Sequence, residues 1–338
     1  MNSHGETTAM QTSWKPKVWT VSERKAGTLT QCLGVARHLD PEPKSIVISK
    51  RLKRWRVGPL SPYRHLEAPE PDLIVSCGSM APRHVMAIAA ACKTRPMTVH
   101  LQTPQDKFAH LYDLAFISRH DWKPQNDQRP TFRKMMGVPH QMTKERILAG
   151  RPEARAKWAP NEERVVAVLA GGPNGAYRFE PETVDAFVAS VEILATSGWR
   201  PLVTTSRRSE PALLQRLLKL NSDRIFVWDH TGENPYFQFL AAADAALITK
   251  DTITMTCEAL STGKPVYIFD LPKTPCDKLD GFEWFHADMS STLGFTRPFE
   301  GRIETYTYDE PDESRRIAGI VGEALGKRRV AAARSETR

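Results

Sequence analysis

The sequence has no long apolar run, no closely spaced pair of cysteines and no low-complexity tract. No apolar stretch approaches the roughly 18 residues that a membrane-spanning helix requires. The N-terminal segment MNSHGETTAMQTSWKPK also lacks the apolar core of a secretion signal. We therefore expect a soluble, cytoplasmic protein, with peripheral association at the inner membrane as the alternative.

The five cysteines are scattered at positions Cys32, Cys77, Cys92, Cys257 and Cys276. No two of them have the spacing of zinc ligands or of a redox pair. Their odd number and wide separation favour reduced thiols. We expect no structural metal, and the absence of a DxD-type carboxylate cluster argues against a catalytic one.

Positive charge predominates, because 47 Lys and Arg residues exceed 39 Asp and Glu residues and give a net charge of +8. This excess favours an anionic partner such as a nucleotide, a phosphate or an anionic lipid surface, although a solvated basic surface would explain it too. The basic run SKRLKRWRVG (Ser49–Gly58) surrounds a tryptophan and is suited to an anionic membrane. No nucleic-acid-binding module surrounds this run, so nucleic acid is not an expected partner.

Short apolar runs alternate with helical stretches from Val18 to Phe269. This alternation is typical of parallel sheets covered by helices on both faces. One group of strands ends near Ile117 and a second begins near Val165, and 338 residues suffice for two domains of ordinary size. The sequence predicts an α/β protein with two Rossmann-like parallel-sheet domains that face each other across a cleft.

The predicted boundaries follow from these two groups. Residues 1–145 form the N-terminal domain, 146–163 a linker that includes a helix, and 164–305 the C-terminal domain. Residues 306–338 form a C-terminal helix and a basic tail. The pattern of apolar residues places this helix from Asp312 to about Gly326 and predicts a disordered tail after it.

A glycine-rich loop follows the strand VVAVLA in the second half of the chain. Ligands of open parallel α/β sheets bind outside the carboxyl ends of the strands. In the loop AGGPNGA, Gly171, Gly172 and Gly175 allow backbone amides to approach a pyrophosphate closely. An ordinary tight turn is an equally good interpretation of the same residues.

The next strand ends in TTSRRSE, which contains Ser206, Arg207 and Arg208. The planar guanidinium group of arginine suits the oxygens of a phosphate. The alternative is that at least one of the two arginines is simply solvated.

The stretch LITKDTITMTCEAL contains two carboxylates on a short helix between two buried strands. On a helical wheel Asp251, Thr254 and Glu258 share one face. Capping by Asp251 or Thr249 explains the first of these residues but not Glu258, which lies two turns into the helix. A carboxylate at that position could accept hydrogen bonds from the vicinal hydroxyls of a ribose. A salt bridge to a neighbouring cation is the alternative.

The first half of the chain offers an acceptor site and several candidate bases. Gly27 opens a helix and allows a ligand to approach the end of that helix. Single acidic or histidine residues at strand ends are more often structural than catalytic. The candidates for a catalytic base are His120, Asp121, Asp106 and Glu23.

Several segments together resemble the elongated-mitochondria (mitochondrial fission) family, whose bacterial members are regarded as GT-B-like glycosyltransferases and whose plant members are linked to mitochondrial division. The resemblance rests on VWTVSERKAGTLTQCLGVARHL, PDLIVSCGSMAPRHVMAI, VHLQTPQ, DLAFISRHD, VAVLAGGPNGAYRF, VTTSRRSE and NPYFQFLAAADAALITKDTITMTCEALSTGKPVYIF. These segments occur in the expected order over roughly residues 17–275. The resemblance implies a GT-B-like pair of domains.

The second half is also similar to the donor domain of the peptidoglycan N-acetylglucosaminyltransferase. This similarity implies a nucleotide-diphosphate sugar as substrate, with no cofactor or metal required. Thr28 stands where that transferase has a histidine proposed as the base. With the strand-end residues added, the predicted donor site is Gly171, Gly172, Asn174, Gly175, Ser206, Arg207, Arg208, Asp251, Thr252, Thr254 and Glu258. The predicted acceptor site is Gly27, Ser79 and Gln102.

The favoured function is therefore a GT-B-type glycosyltransferase in the synthesis of a cell-envelope glycan or glycolipid. Two alternatives remain. One is a nucleotide-sugar epimerase or hydrolase of the same fold. The other is a non-catalytic adaptor at a membrane, as the plant relatives suggest.

Overall fold

The computed structural model describes residues 14–48, 63 and 69–336. The basic run Ser49–Gly58 lies outside the described residues, so its proposed contact with a membrane remains a prediction. Within the described ranges, no helix combines the length and the apolar character needed to cross a bilayer.

The first sheet has six strands in the order β2-β1-β3-β4-β5-β6. Its strands are β1 (Val18–Glu23), β2 (Lys44–Ile48), β3 (Leu73–Cys77), β4 (Met97–Leu101), β5 (Leu114–Ser118) and β6 (Phe132–Met135). The helices between them are α1 (Ala26–Ala36), α2 (Ala81–Ala91) and α3 (Asp106–Ala109). Every residue of β3, β4 and β5 is buried, as expected for parallel strands covered on both faces.

The second sheet also has six strands, in the order β12-β11-β10-β7-β8-β9. Its strands are β7 (Arg164–Ala170), β8 (Trp199–Thr205), β9 (Phe226–Val227), β10 (Ala245–Thr249), β11 (Val266–Phe269) and β12 (Thr296–Pro298). The remaining helices are α4 (Lys144–Trp158), α5 (Pro181–Thr196), α6 (Pro211–Leu218), α7 (Tyr236–Ala242), α8 (Ile253–Leu260), α9 (Leu279–Ala287) and α10 (Glu313–Glu336). The predicted α/β class with two parallel sheets is confirmed.

The chain divides into two compact units. One contains Met1–Leu114 and Ala318–Arg338, and the other contains Ala115–Ile317. In the first unit, Trp19, Ile74 and Ile88 belong to one apolar core. In the second, α5 and α6 contribute to a core on one face of the sheet, which includes Phe187 and Leu213.

The register of the second sheet brings three loops together. β7 and β8 pair so that Ala170 lies opposite Thr205, and β7 and β10 pair so that Leu169 lies opposite Ile248. The loops that leave the carboxyl ends of β7, β8 and β10 are therefore neighbours. These are the glycine-rich loop, the two-arginine loop and the turn before α8.

Two predictions about local structure were wrong in detail. The strands β2, β6 and β12 were not predicted, and all three lie at sheet edges, where polar residues replace the apolar run of a central strand. The C-terminal tail is not disordered, because α10 continues to Glu336. The three alanines Ala331–Ala333 have a high helix propensity. The turn of α10 before them is held by Arg328, whose guanidinium donates to the Arg95 carbonyl at 2.6 Å.

The segment predicted as helix plus linker contains α4, which is held to the second sheet by one carboxylate. Asp244 accepts hydrogen bonds from the guanidinium groups of Arg151 at 2.6 Å and Arg155 at 2.8 Å, and from the Val165 N–H at 3.0 Å. Burial opposes ionisation, but these donors hold the pKa of Asp244 below its usual value. Asp244 thus connects α4 to β7 at the start of the second sheet.

We expect Asp244→Asn to lower the free energy of unfolding by about 1–3 kcal/mol, between the values for exposed and buried ion pairs. Because the folded-state pKa of Asp244 is depressed, its contribution is present above the unfolded-state pKa and is lost as pH falls through the folded-state pKa. Urea denaturation at neutral and acidic pH measures both effects. Asp223→Asn, an exposed acid, is the matched control. Equal stability of the two variants at neutral pH would contradict the assignment.

Candidate functional site

The glycine-rich loop after β7 is packed against the protein itself. The Gly171 N–H donates to Thr249 Oγ1 at 2.7 Å, and the Gly172 N–H donates to Asp251 Oδ2 at 2.8 Å. A Cβ on Gly171 would lie 2.0 Å from Asp251 Oδ2, and one on Gly172 would lie 2.3 Å from the backbone of Arg208. Both positions therefore require glycine for internal packing, and both amides are already hydrogen bonded.

Asp251 joins the three loops at this edge of the sheet. Its side chain is fully buried, and it accepts hydrogen bonds from Gly172 N–H, from Thr249 Oγ1 at 2.7 Å and from Arg208 Nη2 at 2.9 Å. Burial raises the pKa of Asp251 above its usual value, although these three donors favour the ionised form.

The prediction that Asp251, Thr254 and Glu258 share one face of a helix is wrong for Asp251. The helix α8 begins at Ile253, and Thr252 is its N-cap, since the Thr252 hydroxyl accepts a hydrogen bond from the Met255 N–H. Asp251 thus precedes the helix, where its carboxylate binds the glycine loop. Thr254 lies in the first turn and Glu258 in the second.

The two arginines after β8 differ in their surroundings. Arg208 donates to the Gly172 carbonyl at 2.8 Å as well as to Asp251, so it holds the glycine loop from outside. Its N–H donates to the Ser206 hydroxyl at 3.1 Å. Arg207 is exposed and has no hydrogen-bond or ion-pair partner within the described part of the chain. Its guanidinium is available to a ligand.

Asn174 shapes the rest of the glycine loop. Its Oδ1 accepts from the Ala176 and Tyr177 N–H groups, and its Nδ2 donates to the Asp251 carbonyl at 2.8 Å. The next residue, Gly175, has a φ of 90° and no heavy atom within 4 Å of the position of a Cβ. The loop is therefore held at Asn174 and open at Gly175.

Glu258 lies in α8 and is only 7% exposed. The Tyr236 hydroxyl donates to its Oε2 at 2.6 Å, so a phenol holds this carboxylate from α7. Burial and the nearby Glu258 carboxylate raise the pKa of Tyr236 well above its usual value.

In the first unit, Glu23 at the end of β1 binds the loop that precedes α2. The Glu23 carboxylate accepts from Ser79 Oγ and from the Met80 N–H, both at 3.1 Å, and pairs with Lys25 at 2.7 Å. A Cβ on Gly78 would lie 2.9 Å from Glu23 Oε1. Burial opposes ionisation, but Lys25 and the other donors hold the pKa of Glu23 below its usual value. Such a stabilised carboxylate is a poor base.

The other predicted residues of the first unit follow β1 and β4, and three of them, Gly27, Thr28 and Asp106, lie in the first turns of helices. The Thr28 hydroxyl bonds to the carbonyl oxygens of Glu23 and Lys25, both at 3.0 Å, which closes the turn into α1 beside Gly27. Gln102 follows β4 with a φ of 92°, a left-handed conformation that is uncommon outside glycine. Asp106 is exposed in the first turn of α3.

His120 and Asp121 lie together in a short turn after β5, in the second unit. The His120 side chain is only 6% exposed and packs edge-on against Phe285, with ring centroids 5.5 Å apart. Burial lowers the pKa of His120. These contacts favour a packing role for the imidazole, whereas half of the Asp121 side chain is exposed.

Residues 26–325 match the family described as Mitochondrial fission ELM1. The chain belongs to this family. The Mitochondrial fission protein ELM1 of Arabidopsis thaliana is 24% identical over 326 residues, which cover 88% of this chain and 71% of the plant protein. The family predicted from the sequence is thus confirmed.

Two solved structures share the fold of this member of the ELM1 family. The UDP-GlcNAc 2-epimerase of Methanocaldococcus jannaschii has a TM-score of 0.51 at 11% identity, covering 91% of this chain and 99% of that protein. The UDP-GlcNAc 2-epimerase of Neisseria meningitidis, bound to UDP-GlcNAc, has a TM-score of 0.50 at 12% identity, covering 92% and 100%. At such low identity these likenesses show a shared GT-B-like fold.

The structure adds three residues to the candidate site of this ELM1-family chain. Tyr236 holds Glu258, Thr249 joins Gly171 to Asp251, and the Ser209 hydroxyl donates to the Gly171 carbonyl. Thr249 was considered in the sequence only as a helix cap. No sequence pattern marks Tyr236 or Ser209, because each contacts a residue that is distant in sequence and belongs to another helix or loop.

We expect Gly171→Ala to destabilise this ELM1-family protein by about 1–3 kcal/mol, because the added methyl group would collide with Asp251. Thermal and urea unfolding measure the change. Gly319→Ala is the matched control, since no atom lies near its Cβ position and alanine is the better helix former. A Gly171→Ala protein as stable as Gly319→Ala would show that the loop can move away from Asp251.

Proposed function

We propose that this protein is a GT-B-type glycosyltransferase that uses a nucleotide-diphosphate sugar in the synthesis of a cell-envelope glycan or glycolipid. The observation that carries the proposal is the network around Asp251. It places a glycine loop, an exposed arginine and the start of a glutamate-bearing helix at one edge of the second sheet. Nucleotides bind at this edge in open α/β sheets.

The diphosphate would be bound mainly by cationic side chains. The Gly171 and Gly172 amides are occupied by Thr249 and Asp251, which leaves Arg207 and the open end of the loop at Gly175 for the ligand. Arg208 is 45% exposed and supplies a second positive charge nearby. Guanidinium groups form charge-assisted hydrogen bonds with phosphate and would stabilise the leaving diphosphate without a metal.

The ribose would be bound by Glu258. Its Oε2 is held by Tyr236, which fixes the carboxylate in one orientation. A carboxylate so oriented can accept hydrogen bonds from both ribose hydroxyls.

The reaction would be a displacement at the anomeric carbon. The acceptor hydroxyl attacks this carbon, its proton passes to a base, and the nucleoside diphosphate leaves. Among the predicted bases, Asp121 and Asp106 are exposed, whereas His120 is buried and the Thr28 hydroxyl is bonded to backbone carbonyls. The two aspartates are therefore the candidates we favour.

A nucleotide-sugar epimerase is the second candidate, because the two solved structures of similar fold are described as UDP-GlcNAc 2-epimerases. An epimerase needs no acceptor. Incubation with sugar nucleotides alone, followed by NMR, separates the two functions. Formation of an epimer would favour the second candidate, whereas transfer that requires an added acceptor would favour the first.

We expect the wild-type protein to bind a uridine, guanosine or adenosine diphosphate. Glu258→Gln should weaken this binding roughly tenfold to a hundredfold, because hydrogen bonds from the ribose to a charged group would be lost. Calorimetry should also show that wild type prefers the ribonucleotide to its 2′-deoxy analogue. Glu258→Gln and Tyr236→Phe should reduce this preference, which a purely structural role would leave unchanged. Glu192→Gln, an exposed acid in α5, is the control. If no nucleoside diphosphate binds wild type at millimolar concentration, the proposed function is wrong.

We expect Arg207→Ala to weaken binding of the nucleoside diphosphate about tenfold while binding of the parent nucleoside stays unchanged, because the arginine contacts only phosphate in the proposed complex. Loss of the positive charge should also reduce the dependence of affinity on salt. Arg224→Ala removes an exposed cation elsewhere in the second unit and is the control. Equal effects of the two substitutions would place the diphosphate away from Arg207.

A further inference from the structure

A separate groove of about 800 Å³ lies in the second unit, along the edge strand β9. Its walls come from α4, from the end of α6, from β9 and from the segment that leads into α7. Ligand pockets commonly have volumes of roughly 300–1,000 Å³. None of the predicted donor, acceptor or catalytic residues lines this groove.

The groove contains a tryptophan in a fixed orientation. One face of the Trp228 ring stacks on His230, with centroids 4.6 Å apart and planes inclined by 26°. The Trp228 indole N–H donates to the Thr231 carbonyl at 2.8 Å. The His230 Nε2 is in turn 2.8 Å from Thr205 Oγ1. The ring is thus fixed before any ligand arrives, so a ligand that packs on the part of Trp228 lining the groove costs little conformational entropy.

Three side-chain amides in the groove are held through their oxygens. Asn221 Oδ1 accepts from the Val227 N–H, Asn234 Oδ1 from the Tyr236 N–H, and Gln238 Oε1 from the Trp158 indole N–H at 3.0 Å. Their NH₂ groups have no protein partner in the described ranges. The groove thus presents oriented hydrogen-bond donors beside aromatic rings.

The charges in the groove balance. Arg146 and Lys157 carry two positive charges, and Asp229 and Glu233 carry two negative charges. Both cations already lie over aromatic rings, Arg146 over Phe237 at 4.5 Å and Lys157 over Trp158 at 4.8 Å. Two hydrogen bonds from Thr231 to Asp229 Oδ1 lower the pKa of Asp229, and Oδ2 has no partner among the described residues. A balanced set of charges favours a neutral ligand over a phosphate.

From these features we infer that the groove binds a neutral oligosaccharide. The apolar face of a sugar ring packs on an aromatic ring such as Trp228, and its hydroxyls both donate and accept hydrogen bonds. The free amide NH₂ groups match the sugar oxygens, and the Asp229 carboxylate matches a hydroxyl proton. This inference does not depend on the proposed nucleotide site, because it concerns different residues and a different ligand.

The test is calorimetric titration of the full chain with chitotetraose, cellotetraose and maltotetraose. We expect at least one of them to bind, and Trp228→Ala and Asp229→Asn each to weaken that binding about tenfold. Trp284→Ala removes an exposed tryptophan outside the groove and should leave binding unchanged. Asp229→Asn keeps the shape of an exposed side chain, so it tests the inference even if Trp228→Ala fails to fold.

Three outcomes would overturn the inference. The first is that none of the three oligosaccharides binds at millimolar concentration. The second is that Trp228→Ala and Asp229→Asn both bind as tightly as wild type. The third is that uridine displaces the oligosaccharide in a Trp228-dependent manner, which would assign the groove to the nucleotide. Loss of nucleotide binding in Glu258→Gln with oligosaccharide binding intact would confirm that the two sites are separate.

Discussion

The buried carboxylate of Asp251 is the interaction on which the candidate site depends. It follows β10, yet it binds the amide of a loop that follows β7 and the guanidinium of a residue that follows β8. A carboxylate without solvent must be hydrogen bonded by its surroundings, and here the partners are the loops themselves. Three loops that are distant in sequence are therefore held as one surface.

The same arrangement occurs in the first unit. Glu23 is the last residue of β1 and binds the loop after β3, just as Asp251 binds the loop after β7. In each case a glycine passes so close to the carboxylate that a methyl group would collide with it, Gly78 beside Glu23 and Gly171 beside Asp251. Each sheet thus uses a buried acid and a glycine to hold the backbone at its carboxyl edge.

This arrangement changes how the glycines are understood. From the sequence alone, Gly171 and Gly172 leave room for a pyrophosphate, but in the structure the room is filled by Asp251 and by the backbone of Arg208. The groups left for an anion are the side chain of Arg207 and the open turn at Gly175. Positive charge, more than backbone amides, would then supply the affinity of the proposed site for a diphosphate.

The fold could be predicted from the sequence because the central strands are continuous apolar runs, and burial on both faces leaves such runs few alternatives. Three of the four edge strands could not be predicted, since β2 and β6 include polar residues and the short β12 holds an arginine and a proline. Local chemistry also indicated that Asp251 and Glu258 were unusual, since carboxylates rarely lie between buried strands. Only the tertiary structure decided what they bind, because the partners Gly172 and Arg208 come from other loops and Tyr236 comes from another helix. The choice between a ligand and an internal partner depends on strand register, and register is set by the packing of the whole sheet.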